Sequence, residues 1–301
     1  MRRLSPETKE IIYIVAFLVV AAVLVSVYAV YPLNVVKATF GRSDIDTFNP
    51  DSLRAIDLTR WTQYGLQPET LRVQTDGTTE LACYFVRQWS PDSTKGTVLI
   101  LHGEEQNADS FVVFSRLLSE RGYHIVVCDM RATRFSGGKY RSDGQLEAVD
   151  AEEILSNLYV KGDIAEPLVV VGFGIGGTAA LIAASEESRI NHVYAVDPAL
   201  ETSELIERYR LKNDNCWFPG YNGTIWWWWE MRSSYSIPPR TAESFPTPLC
   251  PSTIFVLNNE SNDGTLKAYQ ARSVKPMAIE RAGDKETIES AIVLQLKRGG
   301  R

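Results

Sequence analysis

Residues 168–177 read LVVVGFGIGG, and this stretch decides the fold. Leu168 to Val171 is a short, wholly apolar run, the pattern of a strand buried on both faces of a parallel sheet. Glycines at 172, 174, 176 and 177 then break it, and the small residues from Thr178 to Ser185 continue as a helix. A strand, a glycine-rich turn and a helix therefore follow one another without a connecting loop.

Working outward, the same alternation repeats. Thr97–Leu101 (TVLIL) runs into His102 and Gly103, and His124–Cys128 (HIVVC) runs into Asp129 to Gly138. Val193–Val196, Thr253–Leu257 and Pro276–Ile279 read as three further strands. Leu71–Val73 and Leu81–Val86 flank Asp76-Gly77, a dipeptide of tight hairpins. Between the strands, Ser110–Arg121 reads as a helix capped by Asp109 or Ser110 and ended by Gly122. Gln145–Tyr159 follows with Leu146, Val149, Ile154, Leu155 and Leu158 on its inner side, and Glu286–Lys297 closes the chain. Strands alternating with helical periods predict an α/β domain with a mostly parallel sheet.

The chain has 301 residues, 31 Lys and Arg against 37 Asp and Glu, a net charge of −6 and 45% apolar residues. A pI near 5.3 argues against a nucleic-acid partner. Four cysteines do not make a disulfide scaffold, and no Cys/His spacing suggests a metal, so neither metal nor cofactor is expected. Cys83 and Cys128 read as buried free thiols in strands, while Cys216 lies within residues 200–249 and Cys250 directly after them, and these two would pair only in an oxidising compartment. Histidines occur only at 102, 124 and 192.

Ile11 to Tyr31 holds 21 positions without a charge. As a helix it spans roughly the 30 Å hydrocarbon core of a bilayer. Tyr13, Tyr28 and Tyr31 stand near its ends, at headgroup level. A cleaved signal peptide is the competing reading, but its apolar region would be about 7–15 residues followed by small ones. The expected organisation is a tail (1–10), a transmembrane anchor (11–33), a connector (34–66), a core in two parts (67–199 and 250–301) and an insertion (200–249). The soluble part is expected on the extracytoplasmic side. The connector is expected to include a turn-rich helix start at Thr47 to Ser52. The insertion carries Trp226 to Trp229 in a row and reads as a cap over the C-terminal edge of the sheet. Four consecutive tryptophans cannot share one buried face, so some of them form a contact surface for a protein partner or the membrane. Membrane lipid is the expected partner of the N-terminal helix.

Taken in order, TVLIL-His102-Gly103, HIVVC-Asp129, LVVV-Gly172-Phe173-Gly174-Ile175-Gly176 and Ala282-Gly283-Asp284 resemble the α/β-hydrolase fold over about residues 65–298. The resemblance is closest to membrane-anchored, esterase-like members. It implies a G-x-S-x-G elbow with a serine nucleophile, a histidine after the last strand and an acid after the strand before it. It also implies an oxyanion-forming region at His102, Gly103, Glu104 and Ile175. This sequence departs at each catalytic position: Gly174 stands at the elbow centre, Asp284 at the histidine, and Ser261 at the acid, with Asp263 as an alternative acid. Gly174 relaxes a strained turn, and Asp284 suits a helix N-cap. The resemblance with an erased triad points to a non-catalytic binding or scaffolding subunit. Two rivals remain open. One is a working esterase or amidase using Thr178 or Ser261 with His102 as base; the other is a receptor for a small apolar ligand. His102, Asp129 and Arg131 otherwise read as braces of their loops, and Asp197 as an acid with no histidine to orient.

Overall fold

The structure is a computed structural model that describes residues 5–42, 56–77, 79–88, 94–213, 217–257 and 263–299. The turn expected at Thr47 to Ser52 lies outside these residues. Two compact units are present: Met1–Phe40 with Ile206–Pro238, and Gly41–Leu205 with Pro239–Arg301.

The larger unit is built on eight strands: β1 (Glu69–Thr75), β2 (Thr79–Val86), β3 (Gly96–Leu101), β4 (Tyr123–Asp129), β5 (Leu168–Phe173), β6 (His192–Val196), β7 (Ser252–Val256) and β8 (Met277–Arg281). Their order across the sheet is β1-β2-β4-β3-β5-β6-β7-β8. β1, β2 and β4 pair antiparallel, and every pairing from β4 to β8 is parallel. The sheet is thus the mostly parallel one that the alternating pattern predicts.

Period-two alternation explains why the central strands read as unbroken apolar runs. In β3, Leu99 and Leu101 join one core while Val98 and Ile100 join the other. Naming the helices in chain order, α1 (Pro6–Val25) and α2 (Tyr31–Phe40) belong to the smaller unit. One face of the sheet is covered by α5 (Gln145–Lys161) and α6 (Ile175–Glu186), with Leu266 and Tyr269 of α9 (Asp263–Arg272). The other is covered by α3 (Thr59–Gln63), α4 (Val112–Ser119) and α10 (Lys285–Gly299). The cores fill with Trp61, Phe111 and Phe114 on one side and small residues of α6 on the other.

Three local expectations are corrected. Cys83 and Cys128 are buried in strands but form a disulfide, because the antiparallel register of β2 and β4 sets them directly opposite each other. Cys250 is a buried free thiol, and Cys216 lies outside the described residues. Val149 faces outward at 41% exposure, since the inner stripe of α5 runs through Leu146, Ala148, Ala151, Ile154, Leu155 and Leu158. The helix after β3 begins with a 3₁₀ turn (Ala108–Phe111) capped by Asn107 in a capping box with Ser110. Asp109 is spent elsewhere: its carboxylate accepts from Trp61 Nε1 at 2.8 Å and pairs with Arg134.

The smaller unit is helical. α1, a π turn (Ser26–Val30) and α2 form one continuous stretch, Pro6–Phe40, with a mean hydropathy of 2.8 in its most apolar window. No side chain of α1 is buried. This stretch has the length and composition of a membrane span or a signal sequence. The unit is completed by the end of α7 (Thr202–Asn213) and by α8 (Tyr221–Ser233), which carries the four tryptophans.

Candidate functional site

The turn from β5 to α6 is the centre of the site. Gly174 has φ 52° and ψ −121°, a conformation that costs any residue with a Cβ about 1–3 kcal/mol. Its N–H donates to Val196 O at 2.8 Å, and its carbonyl accepts from Gly177 and Thr178 N–H at 2.9 and 3.1 Å. Those bonds hold the apex against β6 and start the helix behind it. Gly176 has a different reason to be glycine. A Cβ there would run into Leu101 O and come within 2.6 Å of His102 O, both backbone atoms of the neighbouring strand end.

Above the apex stands the turn after β3. Gly103 N–H donates to Gln106 Oε1 at 2.9 Å, Gln106 N–H donates to Gly103 O at 3.2 Å, and Arg141 donates to Glu104 O. This shape aims the half-buried Glu104 side chain at Gly174. A Cβ on Gly174 would meet Glu104 Oε2 and lie 3.3 Å from Glu104 Cδ. A carboxylate tip thus occupies the space into which a side chain at the apex would project. Ile175, the first residue of α6, is buried.

The histidines are committed to other work. His102 is fully buried; its Nε2 accepts from Met130 N–H at 2.8 Å, which leaves Nδ1 as the donor to Gly103 O at 2.7 Å. Burial holds its pKa down to about 4, so the ring is a neutral brace between two loops. His124 Nδ1 accepts from Gln88 N–H at 3.0 Å. His192 lies 3.2 Å from Thr253 Oγ1, and burial holds its pKa down to about 4 as well. Thr178, the hydroxyl nearest the apex in sequence, is buried with Oγ1 donating to Ala199 O at 3.0 Å and accepting from Ala199 N–H at 2.9 Å. Both of its hydrogen-bonding roles are filled.

Asp284 lies on the exposed surface before α10, where Oδ1 accepts from Thr287 N–H at 2.7 Å. That bond lowers its pKa and makes it the cap of the last helix. Ser261 and the side chain of Asp263 lie outside the described residues. Asp197, with φ 50°, lines a cavity of about 10 Å³ with Pro198, Leu200, Glu204, Val256, Thr265 and Leu266, room for about one water.

One residue near the apex carried no sequence signal. Lys285 Nζ sits 4.0 Å from the Phe111 ring centroid and 5.2 Å from that of Phe173, with Glu289 at 3.5 Å, and burial lowers its pKa. Phe173 immediately precedes Gly174, so a cation rests on the rings beneath the turn. It is adjacent to Asp284 in sequence, which is the only hint the chain offers.

The charges behind the site are structural. Asp129 Oδ1 accepts from Ala108 N–H at 2.9 Å, and burial raises its pKa to about 6. Arg131 makes two bonds to Asp150 and one ion pair to Asp76, tying the loop after β4 to α5 and to the β1–β2 hairpin. Among the described residues no cluster of three His, Cys, Asp or Glu is placed to hold a metal.

The tryptophans divide by exposure. Trp226 and Trp229 are buried and stacked at 4.4 Å, both against Phe40, and Trp226 Nε1 donates to Ile237 O at 3.0 Å. Trp227 is 51% exposed, and the half-buried Trp228 donates from Nε1 to Tyr28 O at 2.9 Å.

Comparison with known proteins agrees with this geometry at the level of the fold. The family model described as the alpha/beta hydrolase fold matches residues 96–221. An esterase of Pyrococcus furiosus superposes with a TM-score of 0.56 at 18% identity, over 79% of this chain and 91% of that one. A 2,6-dihydroxy-pseudo-oxynicotine hydrolase gives 0.57 at 16% identity, over 77% and 68%. An alpha/beta hydrolase of Penicillium gives 0.55 at 15% identity, over 77% and 99%. A protein of Rickettsia prowazekii described only as uncharacterized is 28% identical over 121 residues, 39% of this chain. The chain spans 50% of the length of that curated relative.

Proposed function

We propose that this chain, which has the α/β-hydrolase fold, is a membrane-anchored member of that fold that acts by binding rather than by turnover. The observation that carries this reading is the occupied apex: Gly174 offers no nucleophile, and the Glu104 carboxylate stands where one would project. Serine-type acyl transfer needs a hydroxyl or thiol with an imidazole beside it. The three imidazoles of the chain are each bonded elsewhere, two of them with their pKa held near 4.

The same carboxylate disfavours a receptor for an apolar ligand above the turn. A buried charge beside apolar surface without compensation costs several kcal/mol, on the order of 5. The apolar stretch Pro6–Phe40 supports membrane attachment. The Cys83–Cys128 disulfide supports an oxidising compartment for the sheet unit, outside the cytoplasm.

The test is an activity-based fluorophosphonate probe applied to the full chain in membranes. No labelling above a heat-denatured control is expected. Robust labelling that one Ser or Thr substitution abolishes would restore the enzyme reading, with Ser261 the first position to examine.

A further inference from the structure

The smaller unit leaves an apolar face uncovered at a defined depth along the N-terminal helix. α8 is fixed to that helix by the Trp228 Nε1 bond to Tyr28 O and, through its start, by Tyr31 against Tyr221 and by Phe218 against Tyr28 and Tyr31. Tyr28 is three residues from the end of the uncharged segment Ile11–Tyr31. At 1.5 Å rise per residue it therefore lies within about 5 Å of where the hydrocarbon core would end.

At that level the unit presents Trp217 at 66% exposure, Trp227 at 51% and Met231 at 62%. Trp227 and Met231 are one turn apart, so they share a single stripe of α8 opposite the buried Tyr221, Ile225, Trp226 and Trp229. Arg232, next to Met231 in sequence, is exposed, as is Lys212 near the end of α7. Beyond the apolar segment, residues 32–40 and 206–238 hold five Lys and Arg (Lys37, Arg208, Arg210, Lys212, Arg232) against three acids (Glu207, Asp214, Glu230), within a chain of net charge −6. Indole rings with basic neighbours at the end of an apolar span match the headgroup layer of a bilayer.

We infer that α8 lies in the membrane interface, with Trp217, Trp227 and Met231 inserted among the lipid headgroups around the N-terminal helix. The inference rests on that helix spanning the membrane, and it adds a second attachment that would fix the helix's rotation and depth. The occupant of the apolar face is lipid, not a protein.

The full chain is reconstituted into phosphatidylcholine and phosphatidylglycerol vesicles, with bromine placed near the headgroup or deep in the acyl chain. Shallow bromines are expected to quench tryptophan emission more than deep ones. In the Trp217→Phe/Trp227→Phe variant, which keeps the apolar surface, shallow quenching falls about twofold. Alkaline carbonate extraction of the same vesicles reports separately on the spanning helix. A chain that resists extraction, yet whose Trp217 and Trp227 emission answers to aqueous iodide and not to bromine, overturns the inference and leaves the anchor intact. A protein crosslinked to position 227 in native membranes overturns it in favour of a protein partner. Release by carbonate overturns the anchor itself and the inference with it.

Discussion

The turn after β5 and the turn after β8 are two ends of one catalytic arrangement in the fold this chain resembles, and here they are built in opposite ways. The first is held from every side: Gly174 is bonded to β6, Gly176 is pressed against two backbone carbonyls, and His102 braces the loop above. The second is a surface corner. Asp284 is exposed, and its carboxylate accepts from Thr287 N–H of its own helix, three residues on. What survives at the first is the geometry that lets a strand enter a helix in the middle of a sheet. That geometry is needed by the fold whether or not a nucleophile stands on it. At the second, Asp284 turns back to its own helix, and the side chain packed toward the apex is that of Lys285, over the Phe111 and Phe173 rings.

The largest effect should come from the tight turn, and it separates two kinds of glycine. Gly176→Ala places a methyl against Leu101 O and His102 O, neither of which can swing aside. A loss of about 3 kcal/mol or more is expected in chemical denaturation. Gly174→Ser meets only the tip of a flexible Glu104 and a positive φ, so it should cost about 1–3 kcal/mol. Neither variant gains fluorophosphonate labelling. Equal losses at the two positions would mean that the turn is not packed as described.

A pH series sharpens the contrast further. Burial keeps His102 neutral in the fold, with a pKa of about 4 against about 6.5 unfolded. The unfolded chain therefore binds the proton first, and stability is lost as pH falls from about 6.5 toward 4. Asp129, raised to about 6, works the other way, gaining stability over part of the same window. Substitution isolates the imidazole. His102→Asn should be less stable than the parent at pH 7, and the gap should narrow by about 2 kcal/mol near pH 4.5. A gap that does not change with pH would show that the ring is not buried neutral.

Much of this was legible in the chain. TVLIL, HIVVC and LVVV announce themselves because a strand buried on both faces needs no polar alternation, and the glycines at 172, 174, 176 and 177 mark a turn too tight for a side chain at those positions. The local cues failed where distant elements compete for a group. Asp109 reads as a cap, but Trp61 and Arg134 claim its carboxylate and Asn107 caps instead. Cys83 and Cys128 stand 45 residues apart, and only the strand order, which inserts β4 between β2 and β3, brings them face to face. Glu104 over Gly174 is a meeting of two loops from β3 and β5 that no spacing encodes. The tryptophan run shows that some rings must be exposed, but not that Trp228 would be bonded to Tyr28, 200 residues earlier.

The smallest expected effect belongs to the corner at Asp284. Its carboxylate accepts from Thr287 N–H at 2.7 Å, and that bond lowers its pKa below the ordinary carboxylate value of 3.8. A depressed carboxylate contributes stability that is present above the unfolded pKa and is lost as pH falls through the folded one. Asp284→Ala should therefore lower the melting temperature slightly at pH 7, by less than Gly174→Ser does, and by less still at strongly acid pH, as the carboxylate takes up its proton. Asp284→Ser retains a capping oxygen and should behave as the parent at both pH values. Amide exchange in the variant should quicken in the first turn of α10 and nowhere near Gly174. If it quickened at the apex as well, the two turns would be coupled, and the claim that one is held by the whole fold while the other is held by its own helix would be wrong.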